Sequence, residues 1–188
     1  MSPEFEQLYQ LFKTKAEAAA AQVYRVKTPA EAGALIAQIA QESGANKIAA
    51  APSPLVNKCL AGASMPVPVY TDNLRAHAEE AHIGLSELDL AIADIGTLEQ
   101  DATDIGKRLV SMLPNVHIAL VKTTSLVRDL KEAFAKLDQQ KDRLPGYAAF
   151  ITGPSRTADI ERVLTIGVHG PYELRIIFID QPGGDTDE

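Results

Sequence analysis

Residues 23–51, VYRVKTPAEAGALIAQIAQESGANKIAAA, decide the predicted fold because they contain a strand, a complete helix and a second strand. VYRV and KIAAA are short apolar runs of the kind that form buried strands. Between them, Thr28 is placed to cap a helix, Pro29 opens its first turn, Glu31 completes a capping box and Gly44 ends it. This order predicts parallel strands joined by a crossover helix.

The same alternation continues along the chain. Further apolar runs are VPVY, LDLAIAD, VHIALV, YAAFIT and LRIIFID, with helical patterns such as SPLVNKCLAGA and SLVRDLKEAFAKLD between them. We expect an α/β fold with a mostly parallel sheet covered by helices on both faces. Ligands of such sheets bind beyond the carboxyl ends of the strands.

The sequence predicts a helix at one end of the chain and a disordered tail at the other. SPEFEQLYQLFKTKAEAAAAQ has apolar residues at spacings of three and four, which indicates an N-terminal helix that packs either on the domain or on a second subunit. The expected organisation is this helix over 1–22, one α/β domain over 23–180 and a disordered tail over 181–188.

Composition and charge narrow the class of protein. The 188 residues are 46% hydrophobic, which is enough for one substantial core. Eighteen basic against 25 acidic residues give a net charge of −7 with no Lys/Arg-rich run, which argues against a nucleic acid partner. The first residues show no signal-peptide pattern, and no apolar run approaches the roughly 18 residues that a membrane span needs. We therefore expect a cytoplasmic protein without a membrane span.

Cysteine and histidine positions argue against a metal centre in this chain. Cys59 is the single cysteine, so neither an internal disulfide nor an all-cysteine iron–sulfur cluster can form from this chain alone, and we expect a buried, inert thiol. His77 and His82 lie five apart on a predicted helix and therefore on different faces. His117 is expected to pack at the start of a strand.

Three loops carry the candidate chemistry. The first, ADIGTLEQD (93–101), offers Asp94, Gly96 and Thr97 at a tight turn with exposed backbone N–H groups. A plain β-turn in which glycine supplies a positive φ explains the same residues.

In the second loop, Gly153 and Pro154 turn the chain after YAAFIT, and a helix is predicted over 157–167. Ser155 or Thr157 would cap this helix and Asp159 would lie in its first turn, which makes a site for an anionic group. Capping does not account for Arg156, because a cation at a helix N-terminus opposes the macrodipole. Its expected partner is a ligand carboxylate or an internal salt bridge to Asp159 or Asp94.

The third loop, TIGVHGP (165–171), holds His169 between Gly167 and Gly170. Histidine titrates near neutral pH and can act as donor, acceptor or general base. A loop histidine that bonds to its own turn is the alternative. The predicted helix would keep Arg156 and His169 apart unless the chain folds back after Gly167.

LDLAIADIGTL, GKRLVSMLPNVHIAL and TGPSRTADIERVLTIGVHGP together resemble the lactate utilization protein C family, whose shared unit is the LUD domain. The resemblance is strong from about Leu88 to Ile179. It implies a fold related to sugar-phosphate isomerases and coenzyme A transferases. It also implies a three-protein system that oxidises L-lactate to pyruvate, in which partner proteins carry the iron–sulfur clusters and this chain carries none. Ile95 departs from the family, whose members usually have a second threonine there, and residues 98–109 are more acidic than expected.

We therefore expect a non-cluster subunit or accessory protein of an L-lactate oxidation system. In it Arg156 would hold a carboxylate or phosphate, and His169 would accept or donate a proton. The other expected ligand-binding residues are Asp94, Gly96, Thr97, Gly153, Ser155, Thr157 and Asp159. Two alternatives stay open: a non-catalytic assembly protein that binds the cluster-bearing proteins through its first helix, and an independent enzyme for a small carboxylate or a coenzyme A-linked or sugar-phosphate ligand.

Overall fold

A six-stranded parallel sheet forms the centre of the molecule in a computed structural model, which describes residues 3–139, 144–157, 165–166 and 169–181. Every neighbouring pair in this sheet is parallel. The strands, in spatial order, are β1 (Gln22–Val26), β12 (Glu173–Ile179), β7 (Val116–Lys122), β4 (Ile83–Leu88), β2 (Ile48–Ala50) and β3 (Val69–Tyr70). The predicted mostly parallel sheet is confirmed.

Helices cover both faces of the sheet, as predicted. They are α1 (Pro3–Ala18), α2 (Pro29–Glu42), α3 (Pro54–Leu60), α4 (Leu74–His77), α5 (Ile105–Met112) and α6 (Leu130–Gln139), with a 3-10 turn at Thr123–Ser125. Ile118 and Leu120 point into one core with α2 and α3. Ala119 and Val121 point into the opposite core with α1. This alternation follows from the two-residue period of a strand.

Two helices begin where their predicted capping residues lie in the sequence. Thr28 caps α2 by accepting from the N–H of Glu31 at 3.2 Å, and the Glu31 carboxylate accepts from the N–H of Lys27 at 2.9 Å. Ser53 caps α3 by accepting from the N–H of Val56 at 3.1 Å. Each cap satisfies a backbone donor that the first helical turn leaves unpaired.

The N-terminal helix belongs to the core of the domain. Tyr9 and Phe12 of α1 meet Phe178 of β12 edge to face, with ring centroids 5.4 and 5.1 Å apart. Phe12 and Ala16 are fully buried. Of the two packing partners considered for this helix, the domain is the one found.

A second, four-stranded sheet corrects the assignment of two predicted strands. Its order is β8 (Leu126–Val127), β5 (Leu90–Ile92), β6 (Thr97–Asp101) and β9 (Ala148–Ile151). LDLAIAD is divided between β4 and β5, and YAAFIT forms β9, which pairs antiparallel with β6. Residues of β9 alternate between exposed and half-buried, as expected of an edge strand and not of a strand covered on both faces.

A short antiparallel hairpin replaces the two ends of the helix predicted over 157–167. Its strands are β10 (Arg156–Thr157) and β11 (Thr165–Ile166). Both strands contain β-branched residues, which favour extended backbone. Residues 158–164, including Asp159, and residues 182–188 of the predicted tail lie outside the described residues.

Candidate functional site

The first candidate loop lies against the last turn of α1. Asp94 is exposed, whereas Gly96 and Thr97 are buried. Gly96 has a φ of +61°, and a Cβ there would come within 2.4 Å of a backbone nitrogen of α1. The Thr97 hydroxyl forms a 2.8 Å hydrogen bond with the hydroxyl of Thr152. Thr97 therefore connects the first loop to the second.

The second loop also contacts the end of α1. Gly153 has a φ of +68°, and a Cβ there would lie 2.2 Å from the carbonyl oxygen of Ala19. The exposed Arg156 guanidinium donates to the same carbonyl. The N–H of Ser155 donates to the carbonyl of Pro171 at 2.9 Å, which connects the second loop to the third.

The described partner of Arg156 is a backbone carbonyl that the sequence analysis did not name, and the expected salt-bridge partner Asp159 lies outside the described residues. The described hydrogen bond of Arg156 goes to a carbonyl just beyond α1, where a cation complements the negative end of the helix dipole. Arg156 and Thr157 form β10, so Ser155 does not cap a helix that begins at Arg156. The residues that would follow the alternative cap, Thr157, lie outside the described residues. The anion site expected at the start of that helix therefore stays a prediction.

The third loop returns to the second. Arg156 pairs with Ile166 across the hairpin, so the chain reverses before it reaches His169. A Cβ on Gly170 would lie 3.0 Å from the Cβ of Ser155. The hairpin thus removes the separation that a helix would impose, and the exposed His169 follows directly beside the second loop.

The three loops meet at the amino ends of the main strands, which corrects the expected position at the carboxyl ends. The N–H of Tyr172 donates to the carbonyl of Asn115 at 2.8 Å, immediately before β12 and β7 begin. Ala19, which Gly153 and Arg156 of the second loop contact, precedes β1. The first two loops lie at this end because they follow β5 and β9, which belong to the second sheet and not to the main one.

Sequence reasoning missed a buried polar cluster between the two sheets. Ser86 Oγ lies 2.8 Å from His117 Nε2 and accepts from Gln100 Nε2 at 3.1 Å. All three side chains are buried, and His117 Nδ1 and Gln100 Oε1 have no hydrogen-bond partner among the described residues. Burial lowers the pKa of His117 to about 4, so the ring is neutral at pH 7.

Ser86 and His117 have the spacing of a nucleophile and its base, but both lie inside the core. His117 is in β7, next to its first residue, as the sequence predicts. The signal that could have revealed the cluster is a polar residue within the mostly apolar strands β4 and β7, whereas β6, TLEQD, is itself mostly polar.

Glu99 is a second buried polar group that the sequence reasoning did not select. Its side chain is 1% exposed, and neither carboxyl oxygen has a hydrogen-bond partner among the described residues. Burial, with smaller contributions from the charges of Asp89 and Asp101, raises the pKa of Glu99 to about 7. Strongly shifted carboxyl groups are common at functional sites and in buried ionic clusters alike.

The thiol of Cys59 is buried, as predicted, and burial raises its pKa to about 12. This thiol is therefore not a nucleophile near neutral pH. Within the described residues, no group of three or more His, Cys, Asp or Glu side chains is arranged to hold a metal ion. In that same part of the chain, no helix combines the length and apolarity needed to cross a bilayer.

Strand order and helix placement define an α/β domain with a central parallel sheet and a smaller sheet packed on it. The family model of the LUD domain matches residues 9–179. The chain therefore belongs to the LUD domain family, and the resemblance found in the sequence is confirmed.

Similar proteins come from several bacteria. Lactate utilization protein C of Geobacillus sp. (strain WCH70) is 35% identical over 106 residues, which are 55% of this chain and 44% of the relative. The protein of that name from Shouchella clausii (strain KSM-K16) is 37% identical over 105 residues, 55% of this chain and 46% of the relative. This chain spans about half the length of the curated relatives it matches.

A solved structure has the same fold. The crystal structure of a DUF162 family protein from Deinococcus radiodurans superposes with a TM-score of 0.68. The match covers 95% of this chain and 99% of that one, at 20% sequence identity. At this identity the likeness concerns the fold.

Proposed function

We propose that this chain is a non-cluster subunit of a cytoplasmic L-lactate oxidation system and works with iron–sulfur partner proteins. The observation that carries the proposal is the 35–37% identity to two proteins named lactate utilization protein C. The single cysteine is consistent with a division of labour in which other chains hold the clusters.

The junction of the three loops is the proposed binding place for a small monocarboxylate. Arg156 uses its guanidinium on one backbone carbonyl and has further N–H groups to offer a carboxylate. His169, exposed on the adjoining loop, would donate or accept a proton. The exposed carboxylate of Asp94 on the first loop opposes a ligand with several negative charges, which favours a ligand with one.

Calorimetric titration tests the binding role. We expect the purified wild type to bind L-lactate or pyruvate, and Arg156→Ala to bind it at least tenfold more weakly. Glu42→Gln, on the exposed end of α2, is the matched control and should bind as the wild type does. Equal affinity of wild type and Arg156→Ala would remove Arg156 from the ligand site.

Disruption of the gene in its own host tests the pathway. Growth on L-lactate should be lost while growth on pyruvate continues, and the wild-type gene should restore it. Unimpaired growth on L-lactate would contradict the proposed role. Iron–sulfur proteins that co-purify with the tagged chain, and are absent when an unrelated tagged protein is used, would support the partner assignment.

An assembly role without turnover is the second candidate, and an exposed aromatic pair favours it. Phe134 of α6 and Phe150 of β9 have ring centroids 6.1 Å apart and are 55% and 43% exposed. Exposed aromatic residues are enriched at protein interfaces. Phe134→Ser should weaken partner binding and leave lactate binding intact if assembly is the function. Deletion of residues 1–22 is not a usable test, because α1 supplies buried core residues.

A further inference from the structure

Glu99 lies between the four-stranded sheet and α6. It pairs in register with Leu90 of β5 and Phe150 of β9, and directly opposed residues point to the same face of a sheet. Leu90 belongs to a buried cluster with Ala133 of α6. The Glu99 side chain therefore enters the face that α6 covers.

The surroundings of Glu99 favour its neutral form. Asp89, at the junction of β4 and β5, and Asp101 of β6 oppose a negative charge on Glu99, and Lys107 of α5 favours one. On the face itself, β5, β9 and α6 present the apolar residues Leu90, Phe150 and Ala133. Neither carboxyl oxygen has a hydrogen-bond partner among the described residues, so no hydrogen bond there compensates for burial of the anion.

The covering helix is weakly held. Ala133 is the buried residue of α6, whereas Leu130 and Phe134 are 39% and 55% exposed. Elements with few buried apolar contacts open at lower free energy than the whole domain unfolds. Movement of α6 would hydrate the Glu99 carboxyl while the parallel sheet stays folded.

We propose that Glu99 is a proton-binding site that keeps α6 on the four-stranded sheet when neutral and favours release of the helix when ionised. The proton leaves to solvent, and the exposed carboxylate is stabilised by water. The position of α6, and with it the exposure of Phe134, Phe150 and the sheet beneath them, thus responds to pH.

Amide hydrogen exchange of the full chain between pH 5 and 8 tests the proposal, with rates divided by the intrinsic rate at each pH. The pKa of Glu99 rises from 4.5 to about 7 on burial, so the protection of α6 amides should fall by roughly 70-fold over this range and level off above pH 7. Amides of β7, in the middle of the main sheet, report global opening and serve as the internal reference.

Glu99→Gln should abolish the pH dependence of α6 protection because the amide does not titrate. Asp138→Asn, an exposed carboxylate on the same helix, should keep the wild-type dependence. A Glu99→Gln variant with an unchanged pH profile would overturn the proposal. Carboxyl carbon NMR of the wild type gives a second measurement, and a Glu99 midpoint in the ordinary glutamate range would overturn it equally.

Discussion

The guanidinium of Arg156 donates a hydrogen bond to the carbonyl of Ala19, just beyond the C-terminal end of α1. Gly96 and Gly153 approach the same part of the chain so closely that neither has room for a Cβ. Three residues expected to bind a ligand thus hold the N-terminal helix in place. A ligand that binds Arg156 would therefore contact a guanidinium that also donates to the carbonyl of Ala19.

Arg156→Ala should lower the free energy of unfolding by about 0.3–1 kcal/mol, because a cation near a helix C-terminus contributes about that much. Urea denaturation measures the change. His169→Ala is the matched control from the adjoining loop and should leave stability unchanged, since His169 is exposed. Wild-type stability in Arg156→Ala would mean that this hydrogen bond contributes nothing in solution.

Gly153→Ala should destabilise the domain by more than about 2 kcal/mol, because a Cβ would both strain the backbone and collide with the Ala19 carbonyl. Gly44→Ala separates these two effects. Gly44 also has a positive φ, +61°, but a Cβ there meets nothing within 4 Å. Its substitution should cost about 1 kcal/mol from backbone strain alone. Similar losses in both variants would show that close contact with α1 is unimportant.

Ala20→Gly should stabilise the domain by about 0.5–1 kcal/mol. Ala20 has a φ of +66°, in the left-handed region, and follows the end of α1 where glycine is preferred. The N–H of Ala21 bonds back to the carbonyl of Ala16, as expected of this type of helix end. Ala18→Gly, within the exposed last turn of the helix, should instead destabilise. Thermal unfolding of both variants would test the opposite signs.

The parts of the fold that the sequence predicts correctly depend on neighbours along the chain. Thr28 and Ser53 cap helices through N–H groups three residues ahead, so a short window contains the whole interaction. The helix predicted over 157–167 is wrong at its ends because strand pairing of Thr157 with Thr165 prevails over local helix preferences.

The buried polar cluster could not be predicted because its members come from three strands. Ser86 is 31 residues from His117 and 14 from Gln100, and only the packing of the second sheet on the first brings them together. Their sequence signal is a polar residue in a strand pattern, which is equally typical of an exposed face. For the candidate loops, the sequence predicts turns but not the contact with α1.

Glu99 and His117 should impose opposite pH dependences on stability. Burial raises the pKa of Glu99 from 4.5 to about 7, so the folded state binds more protons than the unfolded state in that window and stability falls as pH rises. Burial lowers the pKa of His117 from 6.5 to about 4, so the folded state binds fewer protons there and stability falls as pH falls. Each effect amounts to roughly 3 kcal/mol across its window.

Between pH 4.5 and 6.5 the two windows overlap, so the contributions of Glu99 and His117 should cancel in the wild type. Glu99→Gln removes one slope, and its free energy of unfolding relative to wild type should rise by about 1.4 kcal/mol per pH unit. His117→Gln removes the other, and its relative stability should fall by about the same amount per unit. Urea denaturation at half-unit steps of pH measures both slopes, and Glu42→Gln supplies the baseline of an exposed carboxylate. Parallel pH profiles in all four proteins would contradict the burial of Glu99 as a neutral carboxyl group and of His117 as a neutral ring.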